Sequence, residues 1–186
     1  ITDVMETERR LFSRIPKNDF GRGGAWPWYW GAFYPKGSKR TDDVQLFLVI
    51  TAERLLFGFF IADHAAERRK AFVELCQDNY QDLEGLLQGV LCRDEFFFAA
   101  HEDITIRPDG TVESGSDLTW REWLKQPDRA DFAISVVLPR NEVLACSEDE
   151  LVDRIARTYE DLFPLVLLRV EDDPLPAIAN YLNREV

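Results

Sequence analysis

The sequence predicts an α+β protein: a mostly antiparallel sheet, with a long amphipathic helix and C-terminal helices packed on it. Three observations predict it. First, Val44–Ile50 (VQLFLVI) and Leu55–Ile61 (LLFGFFI) are β-branched and aromatic runs, four residues apart, which is a hairpin-length link. Second, residues 65–91 change to three- and four-residue apolar spacing, the period of a helix with one buried face. Third, the strand candidates are joined by short turns rather than by regular crossover helices, which argues for antiparallel pairing.

The elements follow in order. Residues 4–14 (VMETERRLFSR) predict a short helix with Val4, Leu11 and Phe12 on its apolar side. Pro16 to Gly24 reads as a loop, because Gly21, Gly23 and Gly24 accumulate there. Trp28–Phe33 predicts a strand with Trp28, Trp30 and Ala32 on one face and Tyr29 and Phe33 on the other. Pro35–Asp43 is a polar turn. Gly58 inside the second strong strand marks a bulge or a close backbone approach. The helix over 65–91, carrying Phe72, Leu75, Cys76, Leu83, Leu87 and Leu91, is expected to break near Asp78–Asn79 or Gly85.

Glu95–Ala100 and Asp103–Arg107 read as strands, and Pro108-Asp109-Gly110 supplies a turn before Thr111–Glu113. Asp117–Gln126 predicts a short helix that buries Trp120, Trp123 and Leu124 together. Asp131–Leu138 predicts a strand ended by Pro139. Ser147 with Glu150 three residues on is a capping-box signature, opening a helix with Leu151, Val152, Ile155, Tyr159, Leu162 and Phe163 on its buried stripe. Pro164 is expected to stop or kink that helix. Leu165–Val170 is a short apolar run, and Asp172-Asp173-Pro174 starts a final helix over Leu175–Leu182.

A chain of 186 residues forms one domain, or two small ones, and needs no covalent staples. Cys76, Cys92 and Cys146 are an odd, widely spaced set, which predicts reduced thiols and a cytoplasmic protein. No apolar run approaches the roughly 20 residues of a membrane helix. The formal charge is −12. Such an acidic body repels polyanions over a Debye length of about 8 Å, so generic phosphate-driven adhesion is not expected.

Catalytic signals are few. His64 and His101 have no histidine or cysteine at metal-ligand spacing, and a structural or solvated role is expected for both. The sequence has no GxSxG nucleophile turn, no zinc-protease motif and no Gly-Lys-Ser/Thr phosphate loop. Runs of acids at Asp42–Asp43, Glu148–Glu150 and Glu171–Asp173 are explained by turns and by helix N-termini, where carboxylates oppose the helix dipole. No enzymatic activity, metal or cofactor is therefore expected of this segment.

The exceptional stretch is 17–40, KNDFGRGGAWPWYWGAFYPKGSKR. Residues 1–40 carry eight bases and four acids, a net +4, while the remainder carries −16. Flat rings beside fixed cations suit a base next to a phosphate. The candidate nucleic-acid contacts are Lys17, Arg22, Lys36, Lys39 and Arg40 for phosphates, with Trp26, Tyr29 or Tyr34 to stack on a base. Trp28 and Trp30 suit the strand's core equally well. An extruded base is the natural ligand, because flipping uses a pocket rather than an extended basic face.

Residues 158–182, TYEDLFPLVLLRVEDDPLPAIANYL, resemble the segment that precedes the AAA+ motor in McrB-like restriction subunits and related dynein-type ATPases. Leu162-Phe163-Pro164-Leu165 and then Asp172, Asp173, Pro174, Pro176, Ile178, Tyr181 and Leu182 carry the match. The upstream stretch RIPKNDFGRGGAWPWYWGAFYPKGSKR also looks like the N-terminal module of some of these ATPases. The resemblance implies a recognition domain over residues 1–170, with 171–186 a linker or helix leading to a motor. It implies a parent that forms a homo-oligomeric ring, hydrolyses ATP or GTP with Mg in that motor, and works with a partner nuclease on DNA, often at a modified base. Two other readings stand beside it. One is a protein-interaction or assembly module of the same AAA+ protein that never touches nucleic acid; the other is an enzyme with a carboxylate site near Asp42–Asp43 or His64.

Overall fold

A computed structural model describes residues 2–9, 11–12, 28–61, 65–99, 103–127 and 133–184. The fold is α+β. Its centre is the predicted hairpin. β3 (Val44–Thr51) and β4 (Arg54–Ile61) pair antiparallel from Val44↔Ile61 to Ile50↔Leu55. β2 (Trp28–Pro35) joins the outer edge of β3, with Trp30 opposite Val49 and Ala32 opposite Phe47. β7 (Ala133–Pro139) joins the other edge of β4. With β1 (Met5–Glu6) against the end of β2, the order is β1-β2-β3-β4-β7, antiparallel throughout.

Residues 4–9 are not helical, which corrects the helix expected over 4–14. Met5 pairs with Pro35, the Lys36 amide donates to the Val4 carbonyl at 2.9 Å, and the Ala32 amide donates to the Leu11 carbonyl at 2.8 Å. An isolated helix of that length is marginal in water. An open sheet edge offers the same backbone groups partners that are already in place, and it buries Met5 completely.

The helical layer covers one face of the sheet. α1 (Ala66–Asp78) and α2 (Tyr80–Leu91) divide at Asn79, whose side-chain amide donates to the Leu75 carbonyl at 2.9 Å. α3 (Trp120–Lys125) starts from a Thr119–Glu122 capping box and buries Trp120, Trp123 and Leu124. Trp123 lies between Phe72 and Phe98, with ring centroids 6.2 and 6.1 Å away. α4 (Arg140–Ala145) turns the chain after β7. α5 (Glu148–Val170) is the longest element, and α6 (Pro174–Leu182) follows it.

Two expectations change here. α5 does not stop at Pro164; the residue sits inside a 23-residue helix, and Leu165–Leu168 are core residues on it. Val152, expected on the buried stripe of α5, is 58% exposed. The final helix expected over Leu175–Leu182 is present as α6, which folds back on the body. Ile178 is fully buried and Tyr181 packs on Phe163 at 5.1 Å between ring centroids. Of the residues that carry the McrB-like resemblance, Leu162, Phe163, Leu165, Ile178 and Tyr181 pack α5 and α6 into the core, while Asp172, Asp173 and Pro176 are exposed.

The opposite face of the sheet is covered only in part. The Phe97 amide and carbonyl bond to Ser135, laying residues 96–99 along β7, and the hairpin of β5 (Ile104–Ile106) and β6 (Val112–Ser114) covers more. Beneath them lies a second small core of Ala32, Phe47, Leu56, Ala99, Ile104 and Val137. Among the described residues no helix is long and apolar enough to cross a membrane.

Candidate functional site

Period-two alternation sends Trp28, Trp30 and Ala32 to the open face of β2, as the sequence predicts, and Tyr29 and Phe33 to the helix side. Trp28 is opposite Thr51 and Trp30 opposite Val49, and Trp30 and Val49 pack against the second small core. A cleft of about 180 Å³ opens there, lined by Trp28, Trp30, Phe47, Val49, Phe60 and Ala133, with Thr51 as its polar member. Phe47 and Phe60 meet edge to face at 6.0 Å. Trp28 keeps 43% of its surface exposed.

The turn after β2 brings a cation to this cleft. Gly37, at φ 82°, lets the chain reverse tightly, and the Ser38 amide donates to the Pro35 carbonyl at 3.1 Å. Asp42 closes a second turn on the Lys39 carbonyl at 3.0 Å. Gln45, fully buried, donates its side-chain amide to the Arg40 carbonyl. Held this way, the Arg40 guanidinium lies over the Trp30 ring, 4.3 Å from its centroid. That is within the range of a cation–π contact.

The predicted contact residues separate accordingly. Arg40 reaches the cleft through the Trp30 ring that it covers and does not itself line it. Lys36 and Lys39 are exposed on the same turn, Lys39 with Asp42 at 3.6 Å. Tyr29 is 48% exposed but on the opposite face, beside Ile50. It does not share a ligand with Trp28. Tyr34 is a correction: it is buried, and its hydroxyl donates to the Arg9 carbonyl at 2.8 Å, so it ties the N-terminal edge down and offers no face for stacking. Lys17, Arg22 and Trp26 lie outside the described residues, as do His64 and His101. Phe47, Phe60 and Ala133 were not singled out from sequence. Phe47 was within reach, since alternation from Val44 places it on the open face, but the partnership with Ala133 depends on β7 pairing across some 70 residues.

The acids at 42 and 43 serve structure. Asp43 is 3% exposed and accepts from Ser38 Oγ at 2.9 Å and from the Val44 amide at 3.0 Å. Arg169 Nε lies 3.2 Å from it and Arg68 Nε 3.8 Å. Asp42 accepts from Thr41 Oγ1 at 2.9 Å. One carboxylate thereby joins the β2–β3 turn to α1 and α5. Away from the cleft, burial lowers the Arg54 guanidinium below its ordinary value, opposed by neighbouring Glu53, and Arg54 donates to the Ile104 carbonyl.

In size the cleft falls below the roughly 300–1,000 Å³ of pockets for drug-sized ligands. It suits one flat ring, with aromatic walls for stacking and a fixed cation at the rim. Fold and site together define an α+β domain with an aromatic cleft on the open face of an antiparallel sheet. No protein-family model matches the chain, and no curated protein matches it.

Proposed function

We propose that this chain is a nucleic-acid recognition module, the N-terminal substrate-reading domain of a cytoplasmic McrB-like AAA+ restriction ATPase. In this reading the cleft takes a single unstacked base against Trp28 and Trp30. The observation that carries the proposal is the Arg40 guanidinium lying over Trp30 at the rim of an aromatic cleft. Stacking on an aromatic ring is worth about 1–3 kcal/mol per base. Arg40 would meet the adjoining phosphate, with Lys36 and Lys39 on the same turn. The acidic remainder of the chain restricts contact to this place, which favours a flipped or single-stranded base over an intact duplex groove. The likeness of residues 158–182 to the segment before the motor of McrB-like subunits supports the same assignment. Nucleotide hydrolysis, ring assembly and recruitment of a nuclease would belong to that motor.

The test is a fluorescence-anisotropy titration at two salt concentrations with unmodified duplex, cytosine-modified duplex and single strands. Saturable binding is expected that discriminates among them, weakens with salt, and falls at least fivefold in Trp28→Ala and in Arg40→Ala. No binding at tens of micromolar protein, or binding that both variants retain in full, overturns the reading and leaves the assembly-module alternative.

A further inference from the structure

The cation over Trp30 does not hold itself in place. A cation–π contact at an exposed site is worth less than the rotamer freedom that an ordered arginine gives up. Arg40 therefore lies over Trp30 only where its backbone is brought there. That backbone belongs to the turn between β2 and β3, and Asp43 closes the turn at its base. Asp43 Oδ2 accepts from Ser38 Oγ at 2.9 Å and Oδ1 from the Val44 amide at 3.0 Å, so one carboxylate spans the turn. Arg40 stands between Ser38 and Asp43. A further hold comes from Gln45, fully buried, whose side-chain amide donates to the Arg40 carbonyl itself.

The carboxylate is in turn held from the helical layer. Arg169, in the last turn of α5, places Nε 3.2 Å from Oδ1, out of line for a hydrogen bond, and Nη2 3.5 Å from Oδ2. Arg68 of α1 puts Nε 3.8 Å from Oδ2. The Asp43–Arg169 pair is far more buried than the Lys39–Asp42 pair on the outside of the same turn, so solvent screens it less. Contacts thus run without a gap from α5 through Asp43 and Ser38 to the turn, and from the turn through Arg40 to Trp30.

We infer that Asp43 and Arg169 are positioning residues of the cleft. Their ion pair fixes the turn of residues 38–43 in the geometry that lays Arg40 over Trp30, so the end of α5 governs the cation that a ligand of the cleft meets. The consequence for binding rests on the nucleic-acid reading of the cleft; the placement of Arg40 does not.

Two variants test it. Asp43→Asn keeps the shape and removes one negative charge, while Arg169→Gln removes one positive charge. Charge alone would move the affinity for a polyanion in opposite directions; loss of position weakens both. With a fluorescein-labelled oligothymidine single strand, each variant is expected to lose roughly two- to tenfold in affinity, the effect of ordering one long side chain during binding instead of before it. In an Arg40→Ala background neither variant should weaken binding further, while its loss of stability in urea persists. The placement itself is read by NMR. The Arg40 δ-methylene protons, shifted by the Trp30 ring current in the wild type, should move toward random-coil positions in both variants. The indole signal of Trp123, in the helical layer, should stay. Ser38→Ala, which removes a single hydrogen bond to Asp43, replaces either variant should it fail to fold, with the same NMR shift as its readout.

Arg40 signals that stay in place in the folded variants overturn the inference, whatever the cleft binds. So do affinities that move in opposite directions, and losses that persist in full in the Arg40→Ala background. Displaced Arg40 signals in a protein whose wild type binds no single strand would uphold the positioning and remove the nucleic-acid reading alone.

Discussion

The Tyr181 hydroxyl donates to the Glu160 carbonyl at 3.1 Å, four residues before Pro164. In an uninterrupted helix the amide of residue 164 would donate to that carbonyl, and proline has no amide hydrogen. α6 thus supplies across the chain the donor that α5 lacks, while the Tyr181 ring packs on Phe163. This repair lets α5 pass its proline. Tyr181→Phe is expected to cost about 1 kcal/mol in urea unfolding, the usual net worth of one hydrogen bond. In a Pro164→Ala background, where the helix recovers its own donor, the same change should cost clearly less. Equal costs in both backgrounds would show that the two residues are not coupled.

Gly58 allows no side chain. Its φ is 156°, and a β-carbon there would lie 1.9 Å from the Ile134 carbonyl oxygen. The neighbour is backbone of a paired strand, so it cannot turn aside. Gly58→Ala is expected to destabilise by about 3 kcal/mol, the upper range for overpacking a core, measured by chemical denaturation. A loss below about 1 kcal/mol would mean that β4 and β7 can separate locally without penalty.

Asp43 is held by Arg169 and Arg68, and it is far more buried than either. Breaking a buried pair from one side leaves an uncompensated charge, at a cost of about 3–5 kcal/mol. Asp43→Ala should approach the lower end of that range, since Arg169 retains some exposure. Replacing both partners, as in Asp43→Leu with Arg169→Met, should recover part of the loss. Thermal and urea unfolding of the single and double variants decide this.

Glu150 closes the α5 cap, and its carboxyl is held below the ordinary glutamate value, chiefly by the Ser147 amide and next by the Ser147 hydroxyl. A depressed folded-state value contributes stability that is present above the unfolded value, about pH 4.3, and is lost as pH falls through the folded one. The stability gap between wild type and Glu150→Ala should therefore be constant near neutrality and shrink below about pH 4. Ser147→Ala should cost about 1 kcal/mol at neutral pH, as for other capping hydroxyls. A gap that widens on acidification would contradict the assignment.

The Ser147 cap, the hairpin and a break of the first long helix, near Asp78–Asn79 or Gly85, were readable because each signal lies within a few residues of the structure it makes. The Ser147–Glu150 pair needs only its own helix turn, and the β3–β4 link needs only four residues. The alternation Trp28–Trp30–Ala32 was equally local, and it placed two of the cleft's walls on one face. Tyr34 reads from sequence like Tyr29, yet one is bonded to the Arg9 carbonyl in the interior and the other lies open. The difference lies in what packs against each residue, which neighbours in sequence do not reveal.

By itself, then, the sequence determined the class of fold, the strands β2 to β7 and most helix limits, because hydrophobic period and end-capping act over one or two turns of chain. Glu95–Ala100, expected as a strand, makes only an isolated bridge from Phe97 to Ser135 among the described residues, and β1 and α4 were not read from sequence. Tertiary structure alone decided that residues 4–9 run along the sheet edge, that α5 continues through Pro164, and that Phe47, Phe60 and Ala133 close a cleft beneath Arg40. Each of these depends on a partner tens of residues away: an unfilled strand edge, a tyrosine hydroxyl from another helix, a strand pairing across the sheet. Such partners satisfy backbone groups or bury rings in ways that outweigh a weak local preference.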